Sequence, residues 1–346
     1  MKKEKKLSKP FLMIKKLKNL LEKDYQNVSF NLENWGEILD DSCNVSVFCL
    51  ESAVNYYVAY YEGHNLSFIL QEDNKLIGLF PLMLHQENGE WIISSNGVGI
   101  LPPIFVNNIA RKVKKRLEKQ LADILSTITA ELNIKKFILL EHFYQLSSWY
   151  QFWIDKAKRQ FLTYQLGIDL SQDVENIRLD FRKSYKPLVN KALKEWDVKI
   201  HENNIDDIFE EFRLLHLQVA GKKTRNQKSW DIQKEQIKKG EAFLVSVKDK
   251  KKMIGAGLFN YSRDMGMYSV GAYKRELFDK PIGHAVQMVA IEKLKELGCS
   301  IYYLGQKSTH LDNKLPSDKE LSISYFKEGF AGFVYIQPHL EVCSNE

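Results

Sequence analysis

Cysteine is scarce: four in 346 residues, at positions 43, 49, 299 and 343. No two form a Cys-x-x-Cys pair and no histidine cluster accompanies them, so neither a metal site nor a disulfide framework is expected. No apolar run approaches the roughly 18–20 residues that span a bilayer. The basic start, Met1 to Lys6, is followed only by Phe11-Leu12-Met13-Ile14, too short for a secretory signal. A cytoplasmic protein is expected. Neither sign of charge dominates: 50 Lys and Arg against 44 Asp and Glu leave a formal charge of +6. Such a balance permits an anionic substrate or membrane surface without demanding nucleic acid. A Walker loop, a dinucleotide glycine fingerprint and a Ser-His-Asp order are all missing.

What is present is an ordinary globular composition, 44% hydrophobic and 27% charged, on a chain long enough for two domains. Periodicity predicts a mixed α/β order. Phe11, Ile14, Leu17, Leu20 and Leu21 share one face of a helix over Pro10 to Lys23, with Lys15, Lys16, Lys18 and Lys23 on the others. That face suits peripheral contact with an anionic membrane, and equally suits packing on its own domain. Strands are predicted from Leu66 to Gln71 and Leu76 to Leu84, then a long helix from Ala110 to Leu132 and a strand from Lys136 to Leu140. The second half repeats this order. Helices over 205–219 and 229–239 precede strands over 242–247, 253–261 and 267–273, a helix from His284 to Leu297 and a strand from Ser300 to Leu304. Phe68-Ile69-Leu70 with Lys75-Leu76-Ile77-Gly78 matches Phe243-Leu244-Val245 with Lys252-Met253-Ile254-Gly255. The reading is a duplicated α/β unit: a basic segment over 1–29, one domain over 30–165 and a second, catalytic one over 166–346.

Three stretches of the second half carry candidate chemistry. Lys280-Pro281-Ile282-Gly283-His284-Ala285 opens a helix, where backbone N–H groups and the dipole attract anions. Tyr325-Phe326-Lys327-Glu328-Gly329-Phe330 ends a short helix. Gly271-Ala272-Tyr273 closes a central strand whose edge suits pairing with an extended ligand arm. Two cationic groups accompany them. Arg178, Arg182 and Lys186 are spaced four apart, on one face until Pro187. Arg225 and Trp230 follow the turn at Gly221, placed to clamp a phosphate or carboxylate and to stack on a sugar. A solvated basic helix and a charged loop account for the same residues. Of the histidines, His284 is the first candidate base, ahead of His216 and His310, and Gln306 is a polar contact at the end of the late strand.

Together the three stretches resemble the GNAT acyltransferases. The order of Phe181-Arg182-Lys183-Ser184-Tyr185-Lys186, Pro281-Ile282-Gly283-His284 and Gly298-Cys299-Ser300-Ile301-Tyr302-Tyr303-Leu304-Gly305 resembles the FemAB-like branch, from about residue 30 onward. The resemblance implies tandem GNAT-like folds and an enzyme that moves an acyl group to an amine of a sugar or cell-envelope glycan precursor, soluble or lipid-linked. It implies acyl-CoA as co-substrate, its phosphates on Lys280, Gly283 and Ala285 and its arm beside Gly271 and Tyr273. Tyr325 would be the general acid, and Arg182, Lys186, Arg225 and Trp230 would face the acceptor. Lys280 and Pro281 depart from the usual Gln/Arg-x-x-Gly pattern. An aminoacyl-tRNA-dependent transferase and a non-catalytic binding protein are the alternatives.

Overall fold

The computed structural model describes residues 9–141, 146–312 and 315–344. The chain forms two compact units. The first comprises residues 1–43, 53–161 and 338–346, and the second 44–52 and 162–337. Short segments are thus exchanged at both ends: a turn from the early chain belongs to the later unit, and the C-terminus returns to the first.

The first unit begins with α1 (Lys9–Asp24), β1 (Val28–Ser29), α2 (Trp35–Asp40) and α3 (Glu51–Tyr60). Ile14, Leu17 and Leu21 of α1 enter the core of this unit, and Lys18 lies over the Phe30 ring. The apolar face proposed for a membrane is therefore occupied by the unit's own packing; Phe11 and Leu12 stay exposed. The basic stretch Met1 to Lys6 lies outside the described residues. Next come β2 (His64–Asn65), β3 (Phe68–Glu72), β4 (Lys75–Phe80), β5 (Met83–Glu87), β6 (Glu90–Ser94) and β7 (Ile104–Phe105). The single strand expected from Leu76 to Leu84 is two. Pro81 has no N–H to give a ladder, and its carbonyl accepts from Ser95 Oγ. As a result β4 joins the sheet β1-β3-β4-β7, while β5 joins β2-β5-β6. Then α4 (Arg111–Glu131) buries Leu117, Leu121, Ile124, Leu125 and Ile128 at helical spacing. The unit closes with β8 (Lys136–Leu140), α5 (Ser148–Ile154) and the start of β9 (Arg159–Asp169).

The second unit contains most of β9, then α6 (Val174–Asp180), α7 (Tyr185–Glu195), β10 (Asp197–His201), α8 (Asp206–Ala220) and α9 (Gln227–Lys238). These are followed by β11 (Ala242–Asp249), β12 (Lys252–Tyr261), β13 (Met265–Tyr273), α10 (Ile282–Glu296), β14 (Ile301–Lys307), α11 (Asp318–Glu328) and β15 (Phe333–Cys343), whose last residues pair with β8 in the first unit. Lys250 and Lys251 both take positive φ in the tight β11–β12 turn. Strands β10 to β13 are antiparallel neighbours; β13 and β14 are parallel, with α10 as crossover. Packing of α10 on the sheet buries Val286, Ala290, Ile291 and Leu294 among Phe243, Phe259 and Tyr302.

One expected element does not form. Arg178, Arg182 and Lys186 do not share a helical face, because Phe181 is extended and separates α6 from α7. Pro187 lies in the first turn of α7, where its missing N–H breaks no helical bond. Arg178 donates to Asn190 Oδ1 at 2.7 Å, whereas Arg182 donates to Tyr185 Oη and the Tyr325 carbonyl, both at 3.1 Å.

Candidate active site

The second unit is opened where β13 and β14 part. Their pairing covers only Met265–Met267 against Ile301–Tyr303. Both strands are irregular at that point. The β12–β13 register shifts at Tyr268–Val270, and the β14–β9 register shifts between Tyr303 and Gly305. Gly305 sits at φ +115°, a backbone that L side chains rarely adopt. Bulges of this kind bend a strand and end its pairing. From Tyr268 to Tyr273 one edge of β13 has no β14 partner.

Lys327 reaches this opening from α11. Its ammonium lies 5.5 Å from the centroid of the Tyr268 ring, and a Cβ on Gly305 would stand 2.6 Å from Nζ. Among the described residues no carboxylate pairs with it. Burial, the sole cause, lowers its pKa to about 8. Tyrosines lie along both strands. Tyr268 and Tyr273 share a hydrogen bond of 3.0 Å, Tyr302 donates to Gln287 at 2.6 Å and Tyr303 donates to Gln165 at 2.9 Å. Burial raises Tyr268 to about 12, so it stays a neutral phenol. Lys327 was not singled out by sequence; its signal was its position in the Tyr325–Phe330 stretch.

The structure brings some expected residues here and sends others elsewhere. Gly271 and Tyr273 lie on the part of β13 that pairs with β12 but has no β14 partner, and any side chain at Gly271 would collide with the Tyr268 hydroxyl. Tyr325 does not face the opening. It is two residues from Lys327, hence roughly 200° round the helix, and it is 62% exposed with the Arg182 guanidinium 3.7 Å from its ring. His284 is caged by Tyr185, Phe326 and Phe330, at 4.3, 5.3 and 5.6 Å between ring centres. Both its ring nitrogens are buried without partners, and burial, with Arg182 nearby, lowers its pKa to about 4. A caged imidazole with no access to an acceptor is not placed as a base.

At the start of α10 the N–H groups of His284 and Ala285 both return to the Pro281 carbonyl. Ala285 is fully buried, which removes it from any phosphate contact. At most the N–H groups of Ile282 and Gly283 remain. Gly283 backs onto Phe326, and Lys280 pairs with Asp279 at 3.4 Å. Trp230 is buried among Phe209, Phe212 and His216, so it is a core residue and not a sugar platform. Arg225 lies on it, 4.7 Å from the ring centre. Lys186 is half-buried at the start of α7. Gln306 is exposed and donates to Asp312 at 3.2 Å; His310 is exposed.

Comparison of the whole chain with solved structures decides the fold. FemX superposes with a TM-score of 0.66 at 12% identity, over 90% of this chain and 96% of its own. The fold is FemX-like. L-PGS from Bacillus licheniformis gives 0.57 at 13% identity, over 91% and 92% of the two chains. The C-terminal domain of a putative lysylphosphatidylglycerol synthetase from Agrobacterium fabrum gives 0.55 at 11%, also over 91% and 92%. No family model matches the chain, and no curated protein matches it in sequence. The mixed α/β fold expected from the sequence is observed, and its likeness to FemX agrees with the FemAB-like resemblance of the motifs. Among the described residues no helix is long and apolar enough to cross a membrane, and no metal-ligating cluster occurs.

Proposed function

We propose that this protein is an acyl- or aminoacyltransferase, with the reaction in the opening between β13 and β14 of the second unit. One observation carries the reading: a lysine ammonium with no carboxylate partner among the described residues, held beside Tyr268 and Gly305 where two parallel strands separate. The acyl arm of the donor pairs with the free edge of β13, from Tyr268 to Tyr273. The acceptor amine attacks the donor carbonyl, a C–S or C–O bond breaks as the C–N bond forms, and the proton lost by the amine ends on the departing thiol or hydroxyl. Negative charge develops on the carbonyl oxygen, and the Lys327 ammonium, poorly solvated, stabilises it. The acceptor is an amine on a sugar-containing envelope precursor, consistent with the sequence resemblance to FemAB-like proteins.

Acyl-CoA is one donor, its phosphates reaching Lys280 and the N–H groups of Ile282 and Gly283. Aminoacyl-tRNA is the other. It is favoured by the bonding of the His284 and Ala285 N–H groups to Pro281, which leaves little of a pyrophosphate cradle. Single-turnover transfer from acetyl-CoA and from charged tRNA separates the two. With the competent donor, K327M is expected to lower the rate about 10²–10³-fold, as removal of one oxyanion donor does, with little change in KM. The parent rate is expected to fall above pH 8 as Lys327 loses its proton. An undiminished rate in K327M removes the assigned role.

A further inference from the structure

Away from the strand opening, the end of α8 and the start of α9 enclose a cleft of about 240 Å³. His216, Lys222, Lys223, Thr224 and Arg225 line it, with Trp230 as its floor, and none of the lining residues is acidic. Arg213 also lines it but is already engaged, by Glu210 at 2.6 and 2.8 Å. Arg225 is held in place for another partner. Its Nη1 donates to Gln233 at 3.3 Å and its plane rests on Trp230, while its Nε is buried with no acceptor. Thr224 Oγ1 is likewise buried and unpartnered. Near the carbonyl end of α8, which would repel an anion, the Val219 carbonyl accepts from Arg275. Lys319 of α11 adds to the positive field at His216.

We propose that this cleft is a binding site for a phosphoryl group, with Arg225 and Thr224 as direct donors and Lys222 and Lys223 as the charges that draw the anion in. Several cations around buried unpaired donors match a phosphoryl group, with its several acceptor oxygens, better than a single carboxylate. That the group belongs to a substrate of the transfer reaction rests on the transferase reading; the binding itself does not. His216 reports occupancy. Burial, then Arg225 and Lys319, lowers its pKa to about 4, with Arg213, Lys222 and Lys223 also facing the cleft. A bound phosphate anion cancels part of that field, so the imidazole must gain proton affinity when the site fills.

The test uses the full chain and inorganic phosphate at constant ionic strength, with histidine ring signals followed by NMR from pH 4 to 7. Phosphate is expected to move the His216 titration up by at least half a pH unit and leave His284 and His339 in place. R225Q is expected to weaken phosphate at least tenfold. Because Arg225 covers Trp230, the double variant K222Q/K223Q, on exposed side chains, provides a second arm with the same expectation. Vesicles of phosphatidylglycerol in phosphatidylcholine distinguish sources. Capture lost in R225Q assigns a lipid headgroup, and phosphate binding without capture assigns a soluble phosphorylated compound. No movement of His216 with phosphate and no R225Q-sensitive capture overturns the proposal. K327M should bind phosphate normally, so failure of the cleft and failure of the transferase reading are separately visible.

Discussion

In the transferase reading proposed above Lys327 is the central amine, and its desolvation has a thermodynamic sign. Its pKa is about 8 in the folded chain against 10.5 when solvated. Between those values the unfolded chain holds the extra proton, so stability rises with pH across that window. Below pH 8 the whole cost of burying the charge remains, on the order of 3 kcal/mol at about 1.36 kcal/mol per pH unit. K327M is therefore expected to be more stable than the parent at pH 7 by up to that amount, with the gap closing toward pH 10.5. Urea midpoints at pH 7 and 10 measure it; a less stable K327M at pH 7 would show that the amine is satisfied by a partner. A residue that lowers stability while standing in a cleft is the pattern of a functional site. Tyr325 shows the converse. Its motif drew attention, but helix geometry turns it to solvent and gives the opening to its neighbour two positions on.

At the scale of elements, α11 is what delivers Lys327, and its start is closed by a reciprocal cap. The Ser317 hydroxyl accepts from the Glu320 N–H at 3.3 Å, and the Glu320 carboxylate accepts from the Ser317 N–H at 2.7 Å. S317A is expected to cost about 1 kcal/mol and to speed hydrogen exchange of the α11 amides before those of β12 and β13. Uniform exchange across these elements would mean that α11 unfolds only with the whole unit. The two strand irregularities act at the same scale. Without the glycine at 305, β14 could not take the positive φ that accompanies the end of its pairing with β13.

Across the whole molecule the notable stability device is the set of buried imidazoles. His216, His284 and His339 are each lowered to about 4, chiefly by burial. All three are neutral in the folded state at pH 6.5, the value at which they titrate when exposed. As pH falls from 6.5 to 4 the unfolded chain binds protons that the folded chain refuses, so stability is lost over that interval and levels below it. Chemical denaturation at pH 7, 5.5 and 4.5 should show a progressive fall in midpoint; a flat profile would place these rings in contact with water.

Much of this was legible along the chain. The helices α4, α8 and α10 follow from apolar residues at 3.6 spacing, and β11 to β14 from short apolar runs bounded by turn residues. Those signals are local, since each reports how a segment buries one face. The FemAB-like motif order likewise pointed to the fold observed. Other features were decided only by tertiary contact. Trp230 and Ala285 have the residue types of binding positions, yet packing encloses both. Arg178 and Arg182 have helical spacing, yet an extended Phe181 parts them. The membrane-like face of α1 is consumed by its own core. Lys327 looks like one lysine among many in sequence, because desolvation depends on what surrounds a side chain in space. The sequence by itself determined which segments become helices and strands, since periodicity and turn chemistry act over a few residues. Tertiary structure alone decided which charges are buried, which donors are left unpaired and where two strands come apart, since those depend on neighbours distant in the chain.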